Sequence, residues 1–224
     1  FEDSQMPPQT GLSDVGDSIA VKRVWAEIDA PLGVLKFGRM PWHWGMGIFA
    51  NGGGFDPIHG TYNLDADFGE NVDRLSFSTA IPGTDLNGGI AMDWAQNGPT
   101  SLVTGERGNV PRQAWDLDDS DDYDQWVFTV SRMDSPKLVA DKLADGDTVF
   151  NYGAFLAYRT QDFEQTGTTL GAIPDPDNYV VRDMAAYIPD LWMHVAKGKL
   201  DFELEAVAVF GSFEAQDAGA DETV

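Results

Sequence analysis

Leu191–Phe213 reads LWMHVAKGKLDFELEAVAVFGSF, and its second half alternates with period two. Leu200, Phe202, Leu204, Ala206, Ala208 and Phe210 fall on one face. Asp201, Glu203, Glu205, Val207, Val209 and Gly211 fall on the other. A repeat of two sends successive side chains to opposite sides of an extended chain, so this is a strand and not a helix. About 11 residues is also the length of a tilted strand that crosses a bilayer. With Lys197 and Gly198 as the turn, the chain upstream folds back and sets Val195 against Leu200, Met193 against Phe202 and Leu191 against Leu204. His194 then meets Asp201, and Trp192 meets Glu203. Both strands sort into the same two faces in one register, giving a hairpin with an apolar side and an acidic side. Whether the apolar side meets lipid or a protein core decides the fold.

Composition narrows the choice. Fourteen Lys+Arg against 37 Asp+Glu leave a formal charge of −23, which excludes nucleic acid as a partner because phosphate binding needs a positive surface. The 224 residues contain no cysteine, so there is neither a disulfide framework nor a thiolate metal site, as suits an exported bacterial protein. No run of about 18 apolar residues can form a transmembrane helix. The chain starts at Phe1 without Met or a leader; an exported protein would have had its signal peptide removed or would carry it outside this sequence. Helical periodicity is almost absent, Pro136–Leu143 being the best short candidate. Abundant glycine and evenly spread aromatics point to an all-β chain, either sandwich or barrel.

Taken in order, residues 1–17 read as a loop, followed by a strand in IAVKRVWAEIDA and a second in VLKFGRM. With Ala30–Gly33 as the connection, Ile28 faces Leu35, Ala26 faces Phe37, Glu27 faces Lys36 and Trp25 faces Gly38; the last two are favourable cross-strand pairs. Arg39 breaks the alternation, and a bulge at Gly38 would turn it to the polar side. Residues 41–71 form a long loop beginning WHWGMG. DRLSFSTAI and GGIAMDWAQ are the next two strands, with Thr79 opposite Ile90, Phe77 opposite Met92 and Leu75 opposite Trp94. A second long loop covers 97–122. QWVFTVSR and VFNYGAFLAYRTQ follow, linked by Met133–Asp147, and a third loop runs from Asp162 to about Arg182. The tail from Glu214 is small and acidic. Short turns alternate with long loops, an asymmetry that outer-membrane barrels have and sandwiches do not.

WAEIDAPLGVLKFGRMPWHWGMGI resembles a pattern in porin-like bacterial outer-membrane proteins, in which a strand ends in Gly-Arg and Trp-Gly-x-Gly leads into an outer loop. LEAVAVFG is similar to a barrel strand of such large families. The resemblance implies an antiparallel up-and-down transmembrane β-barrel in the outer membrane of a Gram-negative cell. It brings a lipid bilayer and lipopolysaccharide as surroundings, and supplies no catalytic residue.

The polar faces hold Glu27, Lys36, Arg74, Asp93, Arg159, His194, Asp201, Glu203 and Glu205, joined by Arg39 through the expected bulge. A dry core would impose several kcal/mol of desolvation on each ion of such a mixture, so these residues are expected to line a water-filled lumen. Trp42, Trp44, Trp94, Trp126 and Tyr158 are expected at the membrane interface, where aromatic rings concentrate. His43, His59 and His194 are too scattered for a metal signature. His194 beside Asp201 would be two-thirds of a triad with Ser131 or Ser212, but no G-x-S-x-G elbow is present and a cross-strand hydrogen bond is the simpler reading. DLDDSDDYD resembles a calcium loop through Asp116, Asp118, Ser120 and Asp122 but lacks its Gly and Glu, leaving weak divalent binding. Carboxylates are too numerous to single out a glycosidase pair.

The expected function is a porin-like channel for small hydrophilic solutes, with no cofactor and a modest cation preference. Its rival is a secreted carbohydrate-binding sandwich with Trp42 and Trp44 near the sugar; a third reading is a non-conducting anchor barrel. About eight strands are expected in one domain spanning 1–224. The odd placement of both termini on the outer side, the ending Glu-Thr-Val and the charged inner face predict an internal piece of a larger barrel, with the first and last strands unpaired or completed by further strands or subunits.

Overall fold

The computed structural model describes residues 23–53, 55–56, 61–62, 71–94, 123–165 and 179–213. Among these residues eleven strands appear: β1 Val24–Ala30, β2 Gly33–Pro41, β3 Phe55–Asp56, β4 Thr61–Tyr62, β5 Asn71–Ala80, β6 Asn87–Trp94, β7 Asp124–Arg132, β8 Val149–Gln165, β9 Tyr179–Lys197, β10 Leu200–Val207 and β11 Phe210–Ser212. A helix, α1, covers Pro136–Asp145. The main sheet is antiparallel and runs β1-β2-β5-β6-β7-β8-β9-β10, each strand beside its sequence neighbour, with β11 also on β9. β3 and β4 form a separate two-stranded ladder inside the expected first long loop. Among the described residues β1 and β10 do not pair with each other, so the sheet is open.

The β1–β2 register is the expected one: Trp25↔Gly38, Ala26↔Phe37, Glu27↔Lys36 and Ile28↔Leu35, with Ala30↔Gly33 closing the turn. Two other registers differ from expectation by two residues. In β5–β6, Thr79 pairs Gly88, Phe77 pairs Ile90 and Leu75 pairs Met92. The turn there is tighter than expected, because Ile81 N–H bonds to Leu86 C=O (2.8 Å) and Thr84 caps Ile81 C=O. In β9–β10, Lys197 pairs Leu200, Val195 pairs Phe202 and Met193 pairs Leu204. Gly198 (φ +60°) and Lys199 are therefore the turn residues, which puts glycine first, as a type II′ turn requires. A slip of two preserves the faces.

No bulge occurs at Gly38. The ladder is unbroken through Val24↔Arg39 and Arg39↔Asp73, so Arg39 keeps the face of Leu35 and Phe37. It needs no escape to the polar side because Asp73 meets it there in a two-pronged ion pair of 2.8 and 2.7 Å. Among the described residues the register shifts between Gln161 and Phe163, opposite Asp183 at φ 40°. Beyond it β8 and β9 pair as far as Gln165↔Tyr179, so part of the expected third loop is strand. α1 accounts for the unusual length of the 133–147 link: the Ser135 hydroxyl caps its N-terminus and Gly146 (φ 80°) its C-terminus.

The interruption between β10 and β11 has a local cause. Val207↔Asp190 and Phe210↔Tyr187 belong to one register, and Ala208 N–H bonds to Pro189 C=O (3.0 Å). Pro189 has no N–H to return the bond, so the ladder lapses for two residues and resumes.

Burial is inverted relative to a water-soluble sheet. On β7, Trp126, Phe128 and Val130 are 43%, 45% and 43% exposed, while their alternates Gln125 and Val127 are 0% and 3%. The registers carry the exposed apolar face across all eight strands, from Ile28 and Phe37 through Leu75 and Ile90 to Leu191, Phe202 and Leu204, whereas on β1 and in the first half of β10 the alternate residues are exposed as well. Among the described residues no second sheet covers this apolar face, as a sandwich would require.

The polar face is concave. Met46 N–H bonds to Glu205 on β10, yet Met46 lies only five residues beyond Pro41 at the end of β2. Five residues reach about 17 Å at most. A flat sheet would separate β2 from β10 by six strand spacings, about 29 Å. The sheet must curl to close that gap.

Candidate functional site: the concave face and its strap

Strand parity puts Glu27, Lys36, Arg74, Asp93, Arg159, His194, Asp201, Glu203 and Glu205 on the concave face together; Arg39 lies on the convex one. The inward positions also bring Ser76, Ser78, Gln125, Thr129, Asn151, Asp190 and Trp192 into the group.

One cross-strand row is a continuous hydrogen-bonded ladder. Arg74 on β5 holds Asp93 on β6 through two bonds, the Nη2–Oδ2 one being 2.7 Å. Gln125 on β7 donates to the same Asp93 Oδ2 (2.9 Å), and its own Oε1 accepts from Arg159 Nε (3.0 Å) and Nη2 (2.8 Å) on β8. Asp93 and Gln125 are fully buried, so each link satisfies a group that would otherwise cost free energy. Gln125 was not singled out from the sequence, although its inward parity marks it.

The WHWGMG segment departs most from expectation. Trp42 is buried, packs against Phe49 (5.4 Å between centroids) and Phe155 (5.7 Å), and carries Arg74 over its ring at 5.0 Å. Trp44 lies 5.5 Å from Phe155, and Arg159 stacks on Phe49 and Tyr123. Both tryptophans pack on the concave side, away from the exposed apolar face. After β2, residues 42–53 turn inward as a strap over the concave face of β8, β9 and β10, closed on itself by Trp44 N–H to Ala50 C=O (3.0 Å). Arg23 ties the far end through Asn71 Oδ1 (2.7 Å) and Gly52 C=O (3.2 Å). Arg74 on β5 and Phe155 on β8 pack against the Trp42 ring, and Phe155 also against Trp44, whose buried indole N–H has no hydrogen-bond partner among the described residues. Glu205 anchors the strap, accepting from Met46 N–H (2.5 Å) and Ile48 N–H (3.2 Å). Asp190, fully buried, lies beside Glu205 and the Trp44 indole, though at hydrogen-bonding geometry its oxygens have no partner.

Trp25 and Trp192 have concave parity, and a second set of aromatics keeps to the convex face. Trp126, Tyr158 and Tyr187 form one cross-strand row near the loop end, with Trp94 a step above, and Tyr158 and Tyr187 stack at 4.8 Å. Phe150 and Tyr152 (5.1 Å) mark the turn end of β8. On that strand the span from Phe150 to Tyr158 is roughly nine residues, a bilayer-crossing length.

On the concave face, Lys36 and Glu27 form an ion pair of 2.7 Å, both side chains well exposed. His194 Nε2 lies 3.0 Å from Asp201 Oδ1, and Trp192 Nε1 donates to Glu203 (2.6 Å). Both contacts match expectation although the register has slipped, because sheet twist brings diagonal neighbours together. Ser131 stands two strands from His194, about 10 Å away at ordinary strand spacing, and Ser212 is at the opposite end of β9, on the order of 30 Å distant, so no triad forms. Among the described residues no three His, Cys, Asp or Glu side chains are grouped to hold a metal; Asp116, Asp118 and Asp122 lie outside the described residues. Comparison with family models, curated proteins and solved structures finds no match.

Proposed function

We propose that this sheet is a wall of a porin-like outer-membrane β-barrel admitting small hydrophilic solutes. The observation that carries the reading is the inverted burial: among the described residues eight adjoining strands present an apolar face that no other element covers, and most of the ionic and amide side chains occupy the concave one, the Arg39–Asp73 pair being an exception. Contiguous exposed apolar surface on this scale marks contact with membrane or partner, and apolar-out, polar-in alternation is the pattern of outer-membrane strands. The aromatic row at Trp126, Tyr158 and Tyr187 fits an interfacial girdle, with lipid and lipopolysaccharide outside it. On the concave face Glu27, Asp29, Asp201 and Glu203 are exposed and outnumber Lys36, an excess of acid that favours cations, while Asp93, Asp190 and Glu205 are buried within the wall.

Extraction and planar-bilayer recording test this directly. The protein should require detergent and should conduct ions with a modest cation preference. A detergent-free soluble monomer would overturn it. A non-conducting anchor barrel is the second reading, favoured by the packing of the concave side, where the strap joins Met40, Val72, Val127, Phe155 and Ile188 in an apolar cluster. Membrane insertion without conductance would select that one.

A further inference from the structure

Gly153 has no backbone reason to be glycine. Its φ is not positive, and it sits mid-ladder on β8 between Ser131 and Trp192. What it has is a neighbour: a Cβ there would lie 2.7 Å from Trp44 Cη2 and 3.0 Å from Cζ2. Glycine in a strand interior weakens it and marks the close approach of another group. Here it opens a notch in the concave wall that receives the edge of the Trp44 ring.

Two strands away the strap meets its anchor. Gly45 (φ +54°) approaches so closely that a Cβ would lie 2.7 Å from Glu205 Oε2 and 3.0 Å from Trp192 Cδ1. That approach lets one carboxylate accept from two backbone N–H groups, Met46 and Ile48. A carboxylate bonded to N–H groups in this way is a strong, oriented contact. The glycine of the strap, the glycine of the wall and the glutamate between them form one fitting.

We propose that Glu205 and Gly153 are positioning residues that hold the Trp42–Gly53 strap against β8–β10, and that the strap so held sets the width of the passage. This rests on the channel reading, but its first half does not depend on conduction. Glu205 then acts through the strap and is not a free selectivity charge.

Hydrogen exchange and single-channel recording on Glu205→Ala, Glu205→Gln and Gly153→Val test it. In Glu205→Ala the Met46 and Ile48 amides should exchange about tenfold to a hundredfold faster, the loss expected for a hydrogen bond to a charged group. Glu205→Gln, which keeps one acceptor oxygen, should fall between. Gly153→Val should accelerate the same amides with Glu205 intact, and both Glu205→Ala and Gly153→Val should show a larger unit conductance than the wild type. Unchanged exchange in Glu205→Ala overturns the positioning role. Faster exchange with wild-type conductance overturns the control of width. If the wild type itself does not conduct, the channel reading and the control of width fall together, while the exchange rates still decide the positioning role.

Discussion

Asp93 shows what an inward ion requires. It is buried between Arg74 and Gln125, and its charge is matched only because two strands on either side present donors at the same height. Asp93→Ala would leave the Arg74 guanidinium, 12% exposed, without its partner. Breaking a buried pair from one side costs about 3–5 kcal/mol, so the urea midpoint in micelles should fall steeply. Replacing both members with apolar residues should restore most of it. Asp134 governs the turn end differently. Lys142 (2.8 Å), then Arg132 (3.0 Å), outweigh its burial and hold its carboxyl below the usual carboxylate range. A depressed folded value means the unfolded chain binds the proton first as pH falls. The stabilisation is therefore complete above the ordinary carboxylate range and is lost as pH drops through the lowered value. The gap in urea midpoint between wild type and Asp134→Asn should be open at neutral pH and close in acid; a constant gap would refute the linkage.

Elements here are interrupted where one residue lacks a group, not where the pattern fails. β9 is flanked on both sides, yet it contains Pro189, which is rare away from a sheet edge. The missing N–H leaves the Ala208 carbonyl without its ladder bond and splits one strand into β10 and β11. Pro189→Ala should return the bond, worth about 1 kcal/mol net, and raise the urea midpoint. A fall would show that proline's rigidity matters more than the lost bond. α1 is an element of the opposite kind. None of its residues is buried, and it is held by its caps and by the Asp134 contacts.

At the scale of the whole molecule, the question is what touches the convex face. Phe128 lies at its middle on a central strand. If that face meets lipid, Phe128→Arg should destabilise the inserted protein by about 2–4 kcal/mol, the cost of a cation near the bilayer midplane. On a water-facing surface the same change would stay within about 0.5 kcal/mol. Folding titrations in liposomes separate the two. Glu203 probes the other face: it is exposed and bonded only to the Trp192 indole, so it remains available to passing ions. Glu203→Gln should shift the reversal potential in a salt gradient toward weaker cation preference, and an unchanged potential would take Glu203 out of the pathway.

The eight strands along the main sheet, most of the face sorting, the β1–β2 register and the position of α1 were legible without coordinates; β3, β4 and the separate β11 were not. The reason is that a period of two is a local property: it needs only successive Cβ atoms on opposite sides, and it survives a register slip of two residues. That is why His194 still meets Asp201 although Gly198, and not Lys197, opens the turn. The face of Arg39, the inward fold of Trp42 and Trp44, and the fitting at Gly153 and Glu205 were not legible. Each depends on a partner 34 to 159 residues away, and on a curvature that no single strand encodes. Only the curled sheet brings β10 within reach of a strap that leaves β2, so that Glu205 can accept from the Met46 and Ile48 N–H groups.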